Sequence, residues 1–176
     1  MPGTRLISDY LAALSADLPA QIVEELADGL DETYHGYLGQ GLAPDAAARA
    51  AVEEFGEPRV IVDAFTDASH SRKTARRLLA ALDDGPRHGY AVIEALRQST
   101  GGRLDLPTGT IYPALHRLEA AGLIAGSWSV VAGRRRRVYE LTAAGKEALS
   151  GKRADWRDFA AMMSAALEGG PCPNPA

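Results

Sequence analysis

The chain has 176 residues, of which 46% are hydrophobic and 24% charged, and this predicts a folded protein of one or two small domains. Cys172 is the single cysteine, which excludes an intramolecular disulfide and a cysteine-rich zinc site, so we expect it to be a passive tail residue. No window approaches about 18 uninterrupted apolar residues, and no apolar run follows a basic N-terminal region. We therefore expect a cytoplasmic protein with no membrane span and no signal peptide.

Charge is divided unevenly along the chain, although the net charge is only −4. Residues 1–70 hold 3 Lys and Arg against 13 Asp and Glu, a balance of −10, whereas residues 71–176 hold 16 against 10, a balance of +6. An acidic half joined to a basic half indicates two modules with different partners. Only the basic half is electrostatically suited to nucleic acid.

The acidic half follows helical periodicity that is interrupted by proline and glycine. We predict a compact bundle of short helices: one around residues 6–14, a second opened by Pro19 and ended near Gly39, a third beginning at Pro44, and a last one after Pro58. The inner stripe of the second helix is Ile22, Leu26 and Leu30, continued by Tyr34 and Tyr37.

The carboxylates of this second helix lie mainly off its inner stripe; they are Glu24, Glu25, Asp28, Asp31 and Glu32. Paired carboxylates can serve acid–base or metal chemistry. Adjacent helical residues, however, point about 100° apart, and neither His nor Cys stands at ligand spacing beside them. We therefore predict a solvated acidic helix face.

Four segments of the acidic half resemble the HAAS-type helical domain, over roughly residues 5–66. They are Leu18-Pro19, Glu24-Glu25-Leu26, residues 41–47 from Gly41 to Ala47, and Phe55-Gly56-Glu57-Pro58. This resemblance implies a protein-interaction role and supplies no catalytic residue.

The basic half reads as three helices followed by a two-stranded wing, which is the order of a winged helix-turn-helix domain. After helices near residues 78–82 and 88–96 and an extended piece at 104–107, Thr108 or Thr110 is predicted to cap the third helix, with Pro113 in its first turn. Residues 123–131 and 137–141 are β-prone, with the turn and the arginines between them. Ile111, Leu115 and Leu118 are predicted to face the core.

The candidate DNA-contacting residues lie on the outer side of the third helix and beside the wing turn. They are Tyr90, Thr108, Thr110, Tyr112, Pro113, His116, Arg117, Arg134, Arg135, Arg136 and Arg137. We expect His116 and Arg117 to read bases and the arginine run to grip phosphates. A solvated hairpin edge is the alternative for this run, because side chains alternate faces along a strand. His88 and His116 are predicted to form hydrogen bonds and not to bind metal.

The last predicted helix begins at the cap Thr142 and spans about 25 residues. Leu149, Trp156 and Met163 recur every seven residues, and Phe159 lies three beyond Trp156, which is typical of a short coiled-coil seam. We expect this seam to pair two chains and to place two recognition helices about one DNA turn apart.

Several motifs of residues 76–167 are similar to the PadR family of bacterial transcriptional regulators. They are the segment 85–90 that ends in His88-Gly89-Tyr90, the segment 109–119, Gly122-Leu123-Ile124, Trp128, the arginines with Tyr139, and residues 141–145. The resemblance implies a dimeric winged-helix repressor on a pseudo-palindromic operator, dimerised by its C-terminal helix. It also implies, for some members, a hydrophobic or aromatic effector stacked where Trp156 stands here, although we favour dimer packing for this residue.

The prediction as a whole is a mainly α protein: an acidic helical domain at 1–70, a winged-helix DNA-binding and dimerisation domain at 71–170, and a tail at 171–176. We expect a DNA-binding repressor without a cofactor, controlled by a small molecule or a partner protein. The alternative is an adaptor that docks regulatory proteins. An enzyme is disfavoured, because no nucleophile elbow, phosphate-binding glycine loop or metal-ligand cluster is present. The added acidic module, which the family usually lacks, would rearrange the dimer, carry a partner's signal or cover the basic surface.

Overall fold

The computed structural model of the chain describes residues 2–66, 72–102, 107–131 and 133–151. The chain is mostly helical with a small antiparallel sheet. In order, the elements are α1 Pro2–Ser15, α2 Ala20–Gly39, α3 Pro44–Phe55, α4 Pro58–Thr66, α5 Arg72–Ala81, β1 Arg87–His88, α6 Gly89–Ser99, a 3-10 turn Thr108–Thr110, α7 Ile111–Ala120, β2 Ile124–Val131 and β3 Arg134–Leu141. Residues 143–151 are helical.

Proline and glycine set the bounds of helices α2, α3 and α4, which we call, with α1, the N-terminal helical domain. Pro19 precedes α2, while Pro44 and Pro58 are the first residues of α3 and α4. Proline is tolerated there because the first N–H groups of a helix have no partner within the helix. Gly41, at φ 91°, follows the end of α2 in a conformation that favours glycine.

The sheet has three strands in the order β1-β3-β2: β2 and β3 pair as the predicted two-stranded wing, and β1 is an additional strand that was not predicted. Arg87 and His88 pair antiparallel with Tyr139 and Val138 of β3. Two residues carry no periodicity of their own, and their strand character comes from pairing with a segment some fifty positions away. We keep the name wing for the hairpin of β2 and β3.

The arginine run lies inside β3 and not in the turn before it, which corrects the predicted position. Val131 pairs with Arg134, and Trp128 pairs with Arg137. The turn includes Gly133 at φ 77° and is too short to hold the arginines. Their side chains therefore alternate between the two faces of a strand.

Two predicted helix caps had different outcomes. The Thr110 hydroxyl donates to the Pro107 carbonyl at 2.7 Å and makes no cap hydrogen bond to α7, because residues 108–110 form a separate 3-10 turn. Thr142 does cap the helix at 143–151, since the Gly145 N–H donates to its hydroxyl at 3.1 Å.

A continuous cluster of buried side chains joins the N-terminal helical domain to the winged-helix part. Leu26, Leu30, Phe55 and Ile61 from the first part and Tyr112 from the second belong to it. The rings of Phe55 and Tyr112 have centroids 6.0 Å apart. Helix α7 is thus in contact with both parts of the chain. Within the described residues, no helix has the length and apolarity needed to cross a membrane.

Candidate nucleic-acid interface

Helix α7 is the predicted recognition helix, and its inner side is as expected: Ile111, Leu115 and Leu118 are buried. The outer side is also largely covered. Tyr112 is 1% exposed, Pro113 is buried, and His116 and Arg117 are half-buried. Side chains predicted to face a DNA groove therefore face protein in this arrangement.

Tyr112 is enclosed between two glycines, one in each part of the chain. A Cβ atom added to Gly29 of α2 would lie 1.7 Å from the Tyr112 hydroxyl oxygen, and one added to Gly89 of α6 would lie 2.5 Å from ring carbon Cε1. Burial first, and the nearby carboxylates of α2 second, raise the pKa of the Tyr112 phenol well above its usual value. Among the described residues its hydroxyl has no hydrogen-bond partner.

Glu25 is the central polar contact of this surface. Its side chain is buried, with one carboxylate oxygen 2.8 Å from His116 Nε2 and the other accepting from the Tyr139 hydroxyl at 2.5 Å. Burial, followed by the charge of Glu25, raises the pKa of Tyr139. The prediction of a solvated acidic face was wrong for Glu25, because this side of α2 meets hydrogen-bond donors of the winged-helix part.

The wing arginines have separate environments. Arg135 is exposed, stacks 4.3 Å from the Trp128 ring centroid and lies 3.3 Å from Glu24 Oε1. Arg136 is 8% exposed and forms an ion pair with Glu32. Two of the arginines thus pair with the acidic face of α2.

Arg137, in contrast, pairs within the winged-helix part, with Glu119 Oε1 at 2.8 Å and Oε2 at 2.6 Å. The side chain of Arg134 lies outside the described residues. Arg137 is therefore held against the end of α7, where it links the wing to the predicted recognition helix.

Helix α4 covers the remaining outer side of α7. Arg117 donates to the Ala64 carbonyl, and the Phe65 and His116 rings have centroids 5.8 Å apart. Both candidate base-reading residues are thus engaged by the N-terminal helical domain.

A second set of contacts centres on Glu54 of α3, which sequence reasoning did not single out. Its carboxylate pairs with Arg97 of α6 and accepts from Tyr37 at 2.8 Å and from Thr108 at 3.1 Å. Thr108 is buried, and its hydroxyl donates to Glu54 of the N-terminal helical domain. Tyr90 is half-buried and lines a cleft of about 580 Å³ beside the same cluster.

The predicted histidines both form hydrogen bonds. His88 Nδ1 accepts from the Ala91 N–H at 3.4 Å and so caps α6, and His116 contacts Glu25. Leu149 packs in the core of its own chain. The other predicted seam residues, Trp156, Phe159 and Met163, lie outside the described residues.

Residues 78–151 match the model of the Transcriptional regulator PadR-like family. This segment carries α6, α7 and the wing, whereas α1 to α4 precede it. The PadR resemblance predicted from the motifs is thereby supported, and the HAAS-type resemblance of residues 5–66 stays a prediction.

Two relatives and a solved structure are each similar to part of this chain. "Transcriptional regulator Rv3488" of Mycobacterium tuberculosis is 43% identical over 74 residues, which are 42% of this chain and 56% of that protein. A Streptomyces fradiae protein, "Uncharacterized 37.1 kDa protein in transposon TN4556", is 44% identical over 72 residues, which are 41% of this chain and 19% of that protein. The chain thus spans less than two thirds of either relative. A PadR family transcription regulator of Clostridium difficile is 29% identical, with 53% of this chain and 97% of that chain covered and a TM-score of 0.46.

Proposed function

We propose that the chain is a homodimeric, DNA-binding transcriptional repressor of the cytoplasm, which reads an operator with α7 and grips its backbone with the wing. The observation that carries the proposal is the PadR-like match over residues 78–151, in which a helix bearing His116 and Arg117 precedes an arginine-rich strand. Sequence similarity to regulators of this family supports a role in DNA-binding transcription regulation.

The side-chain chemistry divides the work between the helix and the wing. His116 and Arg117 on α7 are suited to the donor and acceptor groups that base pairs show in the major groove. The guanidinium of Arg135, exposed on β3, is suited to phosphate oxygens and carries no sequence preference of its own. Affinity then depends on the wing and specificity on α7.

Dimerisation and control complete the proposal. Leu149 packs within its own chain, so the proposed pairing of two chains rests on the seven-residue spacing of Trp156 and Met163, with Phe159 between them. Pairing gives a pseudo-palindromic operator its two half-sites. Release of DNA would follow when a hydrophobic effector or a protein partner of the HAAS-like N-terminal domain changes the spacing or the accessibility of the two recognition helices.

Fluorescence anisotropy of the full chain with a labelled duplex from the region upstream of its gene, against a scrambled duplex of equal length, tests the proposal. We expect tighter binding to the upstream duplex and a steep decrease of affinity with salt. Arg135→Ala should lower the log–log salt slope by about 0.9 per chain. Arg49→Ala, which removes an exposed arginine of α3, is the matched control and should leave that slope unchanged. Equal affinity for both duplexes would contradict specific repression, and insensitivity to the Arg135 change would favour the adaptor.

A further inference from the structure

We infer that the acidic face of α2 is an intramolecular substitute for DNA, which holds the chain in a closed arrangement unable to bind an operator. In the closed arrangement, α2 and α4 lie against α7 and β3. The inference rests on the proposed DNA-binding function, and it assigns to the N-terminal helical domain the regulation of that same surface.

The charges of the contact match those of a protein–DNA interface. Glu24 lies beside Arg135, and Glu32 pairs with Arg136. Each carboxylate thereby binds the guanidinium of a wing arginine that we expect to contact a DNA phosphate. Carboxylates and phosphates form the same charge-assisted hydrogen bonds with arginine. Carboxylates of α2 and DNA phosphates therefore compete for the same wing.

The shape of the contact excludes DNA from α7. Arg117 is bound to the Ala64 carbonyl of α4, and Tyr112 is enclosed against Gly29 of α2. The major groove is about 12 Å wide and admits a single helix, whereas two packed helices whose axes are about 8–10 Å apart are wider. Helix α7 cannot enter the groove until the N-terminal helical domain has moved away from α7.

The closed arrangement leaves polar groups of this surface unsatisfied. Among the described residues, the Tyr112 hydroxyl and the Nε atoms of Arg87, Arg136 and Arg137 are buried without a hydrogen-bond partner. Two of these four residues, Tyr112 and Arg136, contact α2, and both are candidate DNA-contacting residues. Buried polar groups are normally paired, so this surface has donors that its present cover does not use. That is expected of a surface built for another ligand.

Charge reversal in the N-terminal helical domain tests the inference without altering any DNA-contacting residue. Glu32→Lys places a cation beside Arg136 and should open the chain, and Glu53→Lys changes the net charge equally at an exposed position of α3. The apparent affinity for DNA is the intrinsic affinity multiplied by the fraction of molecules that are open. We therefore expect Glu32→Lys to bind the upstream duplex at least about tenfold more tightly than wild type. Glu53→Lys should differ from wild type much less.

Hydrogen–deuterium exchange of the full-length proteins without DNA gives a second readout. Glu32→Lys should speed exchange of α7 amides, and Glu53→Lys should not. Glu24→Lys, at an exposed side chain, provides the same comparison if Glu32→Lys does not fold.

The outcomes separate the two proposals. Equal DNA affinity of the two lysine variants, or unchanged α7 exchange in Glu32→Lys, overturns the closed arrangement while leaving the proposed function standing. Faster α7 exchange with no DNA binding by any variant overturns the proposed function, and with it the assignment of α2 as a DNA substitute.

Discussion

Gly29 offers the sharpest test of the packing between the N-terminal helical domain and α7. It lies inside α2 against the end of the Tyr112 side chain, and an added Cβ would stand 1.7 Å from the hydroxyl oxygen. The Tyr112 ring cannot yield, because it is enclosed and already meets the Gly89 backbone from its other side. Gly29→Ala must therefore strain the closed arrangement or separate its two parts.

Gly36→Ala is the matched control, since it makes the same change in the same helix. Among the described residues, a Cβ at Gly36 would meet only the Tyr90 hydroxyl oxygen, at an ordinary distance of 3.4 Å. Replacing an interior helical glycine by alanine stabilises a helix by about 1 kcal/mol. Overpacking a filled core costs typically about 1–3 kcal/mol, and a contact as short as that at Gly29 belongs at the upper end. Gly29→Ala should then lose roughly 2 kcal/mol while Gly36→Ala gains roughly 1 kcal/mol.

Thermal unfolding followed by circular dichroism measures this difference. A domain of this size shifts its midpoint by about 2–4 °C per kcal/mol, so the two variants should differ by roughly 6–12 °C. If the loss falls on the closed arrangement alone, 2 kcal/mol corresponds to roughly a thirtyfold gain in apparent DNA affinity for Gly29→Ala. Equal midpoints and equal affinities in the two variants would refute the enclosure of Tyr112 by α2.

Three further predictions concern pH and capping. Burial lowers the pKa of His88, so its contribution to stability should be full above the unfolded pKa of about 6.5 and fall as the pH drops below it. His88→Asn keeps a cap for the Ala91 N–H and should flatten this dependence in urea titrations, whereas an unchanged pH profile would show that His88 is not its cause. Burial, then the hydrogen bond to Glu54, raises the pKa of Tyr37 to about 12, so its contribution to stability should be full below about pH 10 and be lost as the pH rises to 12. Tyr37→Phe should therefore lose less stability than wild type at alkaline pH, and an equal loss of stability in both proteins would contradict this. Thr142→Ala should cost about 1 kcal/mol in the same urea titrations, whereas Thr142→Ser should cost far less, and equal losses would show that the hydroxyl is not needed.

Local sequence signals predicted the elements whose cause is local. Prolines at the first position of α3 and α4 and a glycine after α2 fix helix ends through backbone geometry alone, so residue types suffice to find them. The inner side of α7, with Ile111 and Leu115, follows from periodicity for the same reason. The proline and glycine positions therefore locate helix ends without any knowledge of tertiary contacts.

Features that depend on distant pairing were missed. Strand β1 exists because β3 offers it partners, and the burial of Glu25 depends on a histidine 91 positions away. Helical periodicity predicts that a carboxylate off the apolar stripe is exposed to solvent. It cannot show that a basic surface elsewhere in the chain packs against that carboxylate. The one available signal was the opposite charge of the two halves, which we interpreted as two modules with different partners, with covering of the basic surface as one of three roles for the acidic module. Opposite charge within one chain also indicates that the halves can bind each other.

The contact between the N-terminal helical domain and the winged-helix part has energetic weaknesses that would allow DNA to displace α2. Removing water from a polar group without replacing its hydrogen bond costs about 1–3 kcal/mol, and the Tyr112 hydroxyl and Arg136 Nε both bear this cost when α2 is in place. The Glu24–Arg135 pair is largely exposed, and such pairs contribute about 0–1 kcal/mol and weaken with salt. The contact thus depends chiefly on apolar enclosure, on the buried Glu25 pair and on the half-buried Glu32 pair. If the proposed function holds, a duplex that supplied phosphates to the arginines once the N-terminal helical domain had left would offset the loss of those pairs.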